Sequence, residues 1–195
     1  IDALNLFFRN FAVIGTLNSD GTHVGGLGGF FRSLGALIRN LEADQVYVVF
    51  DGIGGSNNRK NLIPEYKSGR SVSRITNWEV FDSVEDESNS QIDQIVRIAQ
   101  YLKTLPVKTV SIDKVEADDV IAYVGEELSH DPNNKIFIVS SDKDYLQLVK
   151  DNVIVYRPIE KKYYTPATVL EQFGCPADNF ILYKLLMGDS SDKIE

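Results

Sequence analysis

The sequence predicts an α/β fold with a central, mostly parallel sheet flanked by helices. Two observations predict it. Short runs rich in β-branched residues are typical of buried strands, and stretches with apolar residues at helical spacing separate these runs. Strands that alternate with helices favour a parallel sheet with helical connections. The predicted strands cover residues 46–50, 107–112, 136–139 and 153–156, and Ile1 is interpreted as the end of another strand.

The predicted helices repeat apolar residues every three or four positions, which places those residues on one face. In the first of them Phe30, Leu34 and Leu41 follow this spacing. The helical patterns cover residues 30–41, 92–102, 120–128, 170–173 and 180–186.

A long stretch after the strand at residues 46–50 lacks a regular period. From Gly52 to about Ser90 the chain is rich in Gly, Asn, Ser and charged residues. Connections of this length inside a domain are usually functional or disordered. Its first half is basic and its second half is acidic. The basic residues are Arg59, Lys60, Lys67, Arg70 and Arg74, and the acidic ones are Asp82, Glu85, Asp86, Glu87 and Asp93.

Composition predicts a soluble protein in which residues 1–195 form a single domain. Hydrophobic residues make up 43% of the chain, but no stretch approaches the roughly 18 apolar residues that span a bilayer. The only cysteine, Cys175, cannot form an internal disulfide, which favours a reducing compartment and hence the cytoplasm. The formal charge of −8 argues against binding of a polyanion, unless acidic residues converge and cations neutralise them.

Acidic residues recur where predicted strands end. Open α/β sheets bind ligands at the carboxyl ends of their strands, so acids at these positions can meet. A single such aspartate is usually a helix cap or a solvated loop residue, but the recurrence favours a shared site. The acids that follow strands or open and close helices in this way are Asp2, Asp51, Glu116, Asp118, Asp119, Asp142, Asp144, Asp189 and Asp192.

Carboxylates at one rim of a sheet indicate a metal site, because unpaired like charges are costly unless protons or cations neutralise them. Oxygen ligands without His or Cys select Mg²⁺ or Mn²⁺ over zinc. Two such ions roughly 3.5–4 Å apart promote phosphoryl transfer by activating a water and stabilising the leaving oxygen. Neither His23 nor His130 lies beside an acidic motif, so no histidine general base is expected.

Four glycines at residues 25–29 precede the first predicted helix. They lack the Lys-Ser/Thr ending of a P-loop and the GxGxxG spacing, so the sequence does not favour nucleotide binding there. Glycine permits close contact with its backbone, and we expect either another helix or a DNA backbone to approach this cluster.

Seven sequence segments have an informative order and spacing. They are IDALNLFFR, GGFFRSLGALI, VVFDG, RKNLIPEYKSGR, VEADDVIAYV, SSDKDYLQLV and LLMGDSSDKIE. Together they resemble the flap endonuclease/5′–3′ exonuclease family, in particular its phage-type members and phage RNase H. The resemblance spans nearly the whole chain and implies a PIN-like or resolvase-like 5′-nuclease core, with a helical arch or flexible loop inserted at about residues 58–90. The helix-hairpin module that follows in the family is expected to be absent or truncated.

The resemblance also implies which acids bind metal. Two or more Mg²⁺ ions are expected, and Mn²⁺ would substitute for them. Asp118 would serve either of two ions. The first ion would be held by Asp2, Asp51, Glu116, Asp118 and Asp119, and the second by Asp142, Asp144, Asp189 and Asp192.

A set of substrate-binding residues follows from the same resemblance. Lys67 and Arg70 would contact the scissile phosphate and neutralise its charge in the transition state. Tyr66 would stack on a base. Arg9 and Arg59 are also expected to bind the substrate.

The function implied by the resemblance is metal-dependent hydrolysis of DNA or RNA–DNA hybrids that carry a 5′ end or a 5′ flap, in primer removal or DNA repair. The expected partners are a replication polymerase or a single-strand-binding protein, and no membrane. The protein is expected to be a monomer in the cytoplasm, which is the host cytoplasm for a phage-encoded protein.

Three alternatives stay open. A PIN-type ribonuclease or a Toprim nuclease also uses acids at strand ends, although neither accounts for the GDSSD and YKSGR segments. A non-enzymatic metal-dependent binding module is the third, because residues 51–56 partly match an Asp-x-Ser-x-Ser metal site. In such a module a change of Asp51 would abolish partner binding, whereas Glu116 and Asp142 would tolerate substitution.

Overall fold

The structure is a computed structural model that describes residues 1–64, 66 and 74–188. It has a mixed α/β fold, as predicted. Its residues form two compact units. Residues 3–117 make up the first unit, and Ile1–Asp2 with the chain from Asp118 onward make up the second. No helix in the described ranges is long and apolar enough to cross a membrane.

The first unit contains a pair of parallel strands, β1 (Tyr47–Val49) and β2 (Lys108–Val110). Both lie inside runs predicted as strands. Because the pair is parallel, the carboxyl ends of both strands lie at the same edge. The helices of this unit are α1 (Ala3–Val13), α2 (Gly25–Leu41), α3 (Asn57–Leu62) and α4 (Val84–Leu102), and α2 and α4 contain the predicted helical patterns.

Helices α1 and α2 pack closely because α2 begins with glycines. A Cβ atom at Gly26 would lie 2.5 Å from the ring of Phe7, and one at Gly29 would lie 2.7 Å from Cβ of Asn10. Both distances are too short for a side chain. The prediction that a helix approaches the glycine cluster is therefore confirmed. The buried side chains of these two helices include Phe7, Phe11, Phe30 and Leu34.

The side-chain amide of Gln94 connects α4 with the start of α2. Its Oε1 accepts a hydrogen bond from the backbone N–H of Leu27 at 2.8 Å, and its Nε2 donates to the carbonyl oxygen of His23 at 3.0 Å. The His23 ring is buried, and its Nε2 lies 2.8 Å from the carbonyl oxygen of Ile14. These bonds satisfy an N–H at the first turn of α2, where the helix itself offers no acceptor.

Two helices occupy parts of the stretch that the sequence predicted to lack a regular period. Helix α4 begins at Val84, well before Ser90, and the short helix α3 lies within the predicted insertion. Oγ of Ser83 accepts a hydrogen bond from the Asp86 N–H at 3.0 Å and caps α4. The acidic residues 85–87 occupy the first turn of α4, where negative charge suits the helix dipole. These acidic residues, which were assigned to the irregular stretch from the sequence, therefore form the first turn of α4.

Glu87 is a buried carboxylate that binds the backbone of residues 76–77, which precede α4. It is 3% exposed. Its oxygens accept hydrogen bonds from the backbone N–H groups of Thr76 at 2.9 Å and Asn77 at 2.8 Å. The Asn77 side chain in turn donates to the carbonyl oxygen of Phe11 at 2.9 Å. Hydrogen bonds to a carboxylate are about twice as strong as neutral ones, so Glu87 holds residues 76–77 in place.

The second unit contains a sheet in which β3 (Ile136–Val139) pairs in parallel with β4 (Val153–Arg157), and β4 pairs antiparallel with β5 (Lys162–Tyr164). Strands β3 and β4 were predicted. The sequence pattern missed β5, which has three residues and follows a tight turn in which Lys161 has a φ of 51°. The helices are α5 (Ala117–Ser129), α6 (Pro166–Phe173) and α7 (Phe180–Met187), and a 3₁₀ helix spans Asp144–Leu148.

Candidate functional site

Asp2 is held beside the carboxyl end of β3. Its backbone N–H donates to the carbonyl oxygen of Val139 at 3.2 Å, although Ile1 belongs to none of the strands in the described ranges. Its Oδ2 accepts a hydrogen bond from the hydroxyl of Ser140 at 3.1 Å. Asp2 is 9% exposed and Ser140 is 1% exposed. Backbone and side chain of Asp2 are therefore both fixed at the end of the strand.

The turn after β3 arranges two further acids. Oγ of Ser140 accepts the N–H of Asp142 at 3.2 Å, and Oδ1 of Asp142 accepts the N–H of Asp144 at 2.9 Å. Asp144 then opens the 3₁₀ helix, and its carboxylate forms an ion pair with Lys184 of α7. The two acids of this turn thus differ, because Asp142 adjoins the Asp2 network while Asp144 faces a lysine.

Tyr145 contacts one carboxylate and is influenced by the charge of two others. Its side chain is buried, and its hydroxyl donates a hydrogen bond to Oδ1 of Asp118 at 2.8 Å. Burial raises the pKa of this hydroxyl, and the negative charges of Asp2, Asp118 and Asp142 raise it further. Three predicted metal ligands therefore act on one hydroxyl group in the second unit.

In the first unit Glu116 is a buried carboxylate with a cationic and a phenolic partner. It is 3% exposed. Its Oε2 forms an ion pair with the guanidinium of Arg59 and accepts a hydrogen bond from the hydroxyl of Tyr66 at 3.0 Å. The guanidinium lies 5.8 Å from the centroid of the Tyr66 ring. A predicted metal ligand and two predicted substrate-binding residues therefore contact one another.

Asp51 directly follows β1 and binds the start of α5. Its Oδ1 accepts a hydrogen bond from the backbone N–H of Ala117 at 2.7 Å. The next residue, Gly52, lies against the chain after β2, where a Cβ atom would be 1.7 Å from the carbonyl oxygen of Ile112. This close contact keeps Asp51 near the residues that follow β2, including Glu116, which precedes Ala117.

The structure divides the predicted site residues into groups. Asp2, Asp118 and Asp142 all act on the Tyr145 hydroxyl in the second unit. In the first unit Glu116 contacts Arg59 and Tyr66, and Asp51 binds the residue after Glu116. Asp119 is exposed in the first turn of α5, and Arg9 is half-buried on α1. Four predicted residues lie outside the described ranges: Lys67, Arg70, Asp189 and Asp192.

The chemistry of these groups suits a hard divalent cation. Apart from the cationic Arg59 and Lys184, the contacting side chains offer carboxylate and hydroxyl oxygens, which are the donors that Mg²⁺ and Mn²⁺ prefer. Among the described residues, however, no three or more Asp, Glu, His or Cys side chains are grouped so that they could hold an ion. The predicted donor atoms therefore fit the metal in type, while their assignment to particular ions stays a prediction.

In the part of the chain that the structure describes, sequence reasoning missed Ser140, Tyr145 and Lys184, whose side chains contact predicted ligands. Ser140 and Tyr145 donate hydrogen bonds to carboxylates, and Lys184 pairs with Asp144. The serine and the tyrosine flank the aspartates of the SSDKDY segment, which was the available signal. Lys184 was recognisable as a single charged residue within the apolar helix FILYKLLM.

Sequence comparison relates the chain to nucleases and polymerases. The family model of the 5′–3′ exonuclease N-terminal, resolvase-like domain matches residues 1–174. A 5′–3′ exonuclease of Aquifex aeolicus is 31% identical over 195 residues, which cover 100% of this chain and 62% of that protein. DNA polymerase I of Lactococcus lactis is 30% identical over 204 residues, which cover 98% of this chain and 21% of the polymerase.

A solved structure has a similar fold. The flap endonuclease of bacteriophage T5, in a pseudo-enzyme–product complex with DNA and metal ions, matches with a TM-score of 0.78 at 22% identity. The match covers 100% of this chain and 67% of that one. At 22% identity this similarity shows a shared fold only. The chain spans 62 to 63% of the length of the curated 5′–3′ exonucleases of Aquifex and Buchnera that it matches.

Proposed function

Because the chain belongs to the family of 5′–3′ exonuclease N-terminal, resolvase-like domains, we propose that it is a divalent-metal-dependent 5′-nuclease that hydrolyses phosphodiester bonds. The effect of three carboxylates on one buried hydroxyl carries the proposal. Asp118 accepts the hydrogen bond of Tyr145, and Asp2 and Asp142 add to the negative potential there. Carboxylates near one another raise the energy of the folded protein unless a cation or a proton joins them. Their grouping therefore supports metal binding.

We propose Mg²⁺ as the metal, with two or more ions bound and Mn²⁺ able to replace them. Oxygen donors suit both cations. When bound, the metal would supply an activated water and stabilise the leaving oxygen. The protein's part is to hold the carboxylates in place, through the bonds from Ser140 to Asp2 and from Tyr145 to Asp118. The proposed ligands are Asp2, Asp51, Glu116, Asp118, Asp119, Asp142, Asp144, Asp189 and Asp192.

Cationic and aromatic residues would bind the substrate. Arg59 carries a planar guanidinium that suits bidentate contact with a phosphate. Tyr66 lies beside it and offers a ring on which a base can stack. A substrate phosphate that binds Arg59 would break its ion pair with Glu116. The Glu116 carboxylate could then bind a cation, so substrate binding would be coupled to metal binding. The other proposed substrate contacts are Arg9, Lys67 and Arg70, of which Lys67 and Arg70 would neutralise the scissile phosphate.

DNA with a 5′ end or a 5′ flap is the proposed substrate, with RNA–DNA hybrids as a further one. The names of the relatives support this choice, since the Aquifex protein is a 5′–3′ exonuclease and the phage T5 protein is a flap endonuclease seen with DNA. Such ends arise in primer removal and DNA repair, which are the proposed processes. The polymerase relative supports a replication polymerase as partner, and a single-strand-binding protein is a second candidate. We propose a monomer that acts in the cytoplasm.

Cleavage of four end-labelled substrates tests the proposed function: a 5′ flap, a nicked duplex, an RNA–DNA hybrid and single-stranded DNA. With Mg²⁺ we expect cleavage at the 5′ side of the junction, and with a chelator we expect none. Cleavage confined to single-stranded RNA, included as a fifth substrate, would favour the PIN-type ribonuclease instead. Intact DNA substrates at every Mg²⁺ concentration, or equal cleavage with chelator, would contradict the proposal.

A further inference from the structure

Two buried hydroxyl groups each bind one carboxylate in the second unit. Tyr145 donates to Oδ1 of Asp118 at 2.8 Å, and Ser140 donates to Oδ2 of Asp2 at 3.1 Å. The tyrosine is 3% exposed and the serine is 1% exposed. Water therefore has little access to either hydroxyl, and each carboxylate keeps a fixed neutral donor.

The direction of the Ser140 proton is determined by a second bond. Oγ of Ser140 accepts the backbone N–H of Asp142 at 3.2 Å. With that lone pair occupied, the hydroxyl directs its own proton towards Asp2. Oδ1 of Asp142 also accepts the N–H of Asp144, so one short turn fixes Ser140 and Asp142 together. A hydroxyl held in this way is a pre-organised donor, since it loses little further freedom when the carboxylate binds a ligand.

Neutral donors suit carboxylates that must also bind a cation. A lysine or arginine as the donor would add a positive charge that repels the metal. A phenol or an alcohol is uncharged at neutral pH, so it orients a carboxylate without that repulsion. Donors of this kind around metal ligands fix ligand orientation, and their loss typically lowers metal affinity about 10- to 100-fold.

From these contacts we infer that Tyr145 and Ser140 are positioning residues, which hold the carboxylates of Asp118 and Asp2 in the orientation that binds divalent metal. This inference rests on the proposed metal-dependent function. It assigns a role to two side chains that are not among the proposed metal ligands or substrate contacts.

Binding of Mn²⁺ to the full-length protein without DNA tests the inference, with electron paramagnetic resonance reporting the unbound ion. Tyr145→Phe keeps the ring and removes only the hydroxyl, and Ser140→Ala removes the other donor. We expect Mn²⁺ affinity to fall about 10- to 100-fold in Tyr145→Phe and to fall also in Ser140→Ala. The matched control is Tyr123→Phe, an exposed tyrosine on the same helix as Asp118, whose affinity should not change.

Two measurements on Tyr145→Phe distinguish a positioning role from a purely structural one: the Mg²⁺ concentration for half-maximal cleavage and the rate at saturating Mg²⁺. In flap cleavage, Tyr145→Phe should need more Mg²⁺ for half-maximal rate, yet approach the wild-type rate when Mg²⁺ saturates. Equal Mn²⁺ affinity in wild type and folded Tyr145→Phe would overturn the inference and leave the nuclease function standing. If Tyr145→Phe does not fold, Ser140→Ala decides in the same way. Wild-type protein that binds Mn²⁺ but cuts no DNA would contradict the nuclease function alone.

Discussion

Arg59 forms an ion pair with Glu116, so a predicted substrate-binding residue contacts a predicted metal ligand. The carboxylate is buried, and Tyr66 binds the same oxygen. A divalent cation that binds this oxygen has to compete with the guanidinium. The pair therefore connects the two functions that the sequence had assigned to separate residues.

Replacing Arg59 should destabilise the protein less when Mg²⁺ is present. Without the guanidinium, Glu116 keeps a buried charge with less compensation, at a cost of roughly 1–3 kcal/mol. A metal at Glu116 would offset part of that cost in Arg59→Ala. Urea unfolding with Mg²⁺ and with chelator measures the difference. Lys60→Ala, an exposed change on the same helix, is the control, and an equal loss for Arg59→Ala in both conditions would contradict metal binding at Glu116.

Asp118→Ala should lower the rate of flap cleavage at least about 10³-fold, by analogy with removal of a key electrostatic group. The reason is that Asp118 is a proposed metal ligand whose carboxylate is held by the Tyr145 hydroxyl. Single-turnover cleavage at saturating Mg²⁺ measures the effect. Asp151→Ala, in an exposed turn, should cleave at the wild-type rate. An unchanged rate in Asp118→Ala would remove it from the proposed ligands.

Glu87→Gln should loosen the segment that precedes α4. The amide keeps one acceptor oxygen but places an NH₂ group against the backbone N–H groups of Thr76 and Asn77, at a cost of roughly 1–3 kcal/mol. Hydrogen exchange at those two amides should accelerate, and urea unfolding should move to lower concentration. The control is Glu85→Gln, which removes the same charge from the same helical turn at an exposed position. If Glu87→Gln and Glu85→Gln lower stability equally, the loss would come from the weaker interaction with the helix dipole and not from the bonds to Thr76 and Asn77.

Alkaline pH should destabilise the protein partly through Tyr145. Burial and then the carboxylates of Asp2, Asp118 and Asp142 raise its pKa in the folded state. The unfolded chain then loses this proton first, so stability that is complete below the unfolded pKa of about 10 is lost as the pH rises above it.

Tyr145→Phe should accordingly lose less stability than wild type between about pH 10 and 11, in urea unfolding with chelator present. Tyr123→Phe, at an exposed position, should follow wild type. Identical losses in wild type and Tyr145→Phe would show that the hydroxyl titrates alike in the folded and unfolded chain.

Much of the fold was predictable because buried strands and amphipathic helices leave strong patterns. The run at 136–139 coincides with β3, and the run at 153–156 lies within β4. Strand β5 was missed since three residues carry too little pattern. The start of α4 was missed for another reason, because acidic residues favour loops and first helical turns alike, and only the cap at Ser83 distinguishes them.

The candidate site was predictable in its acids and less so in the groups that hold them. Position after a strand identified Asp2 and Asp142, and position at the start of a helix identified Asp118. All three act on one hydroxyl. Tyr145 was not identified, because an aromatic residue among apolar ones is typical of a core. Sequence spacing also treats Asp142 and Asp144 alike, whereas their partners depend on a tertiary contact with α7.

The bond between Asp51 and the backbone of Ala117 affects how variants at this position are interpreted. A random substitution there removes a negative charge and also an acceptor on which the first turn of α5 depends, so a loss-of-function phenotype in a genetic screen has two possible origins. Asparagine retains an oxygen of the same reach and is neutral. Position 51 is therefore one where the choice between asparagine and alanine separates folding from chemistry.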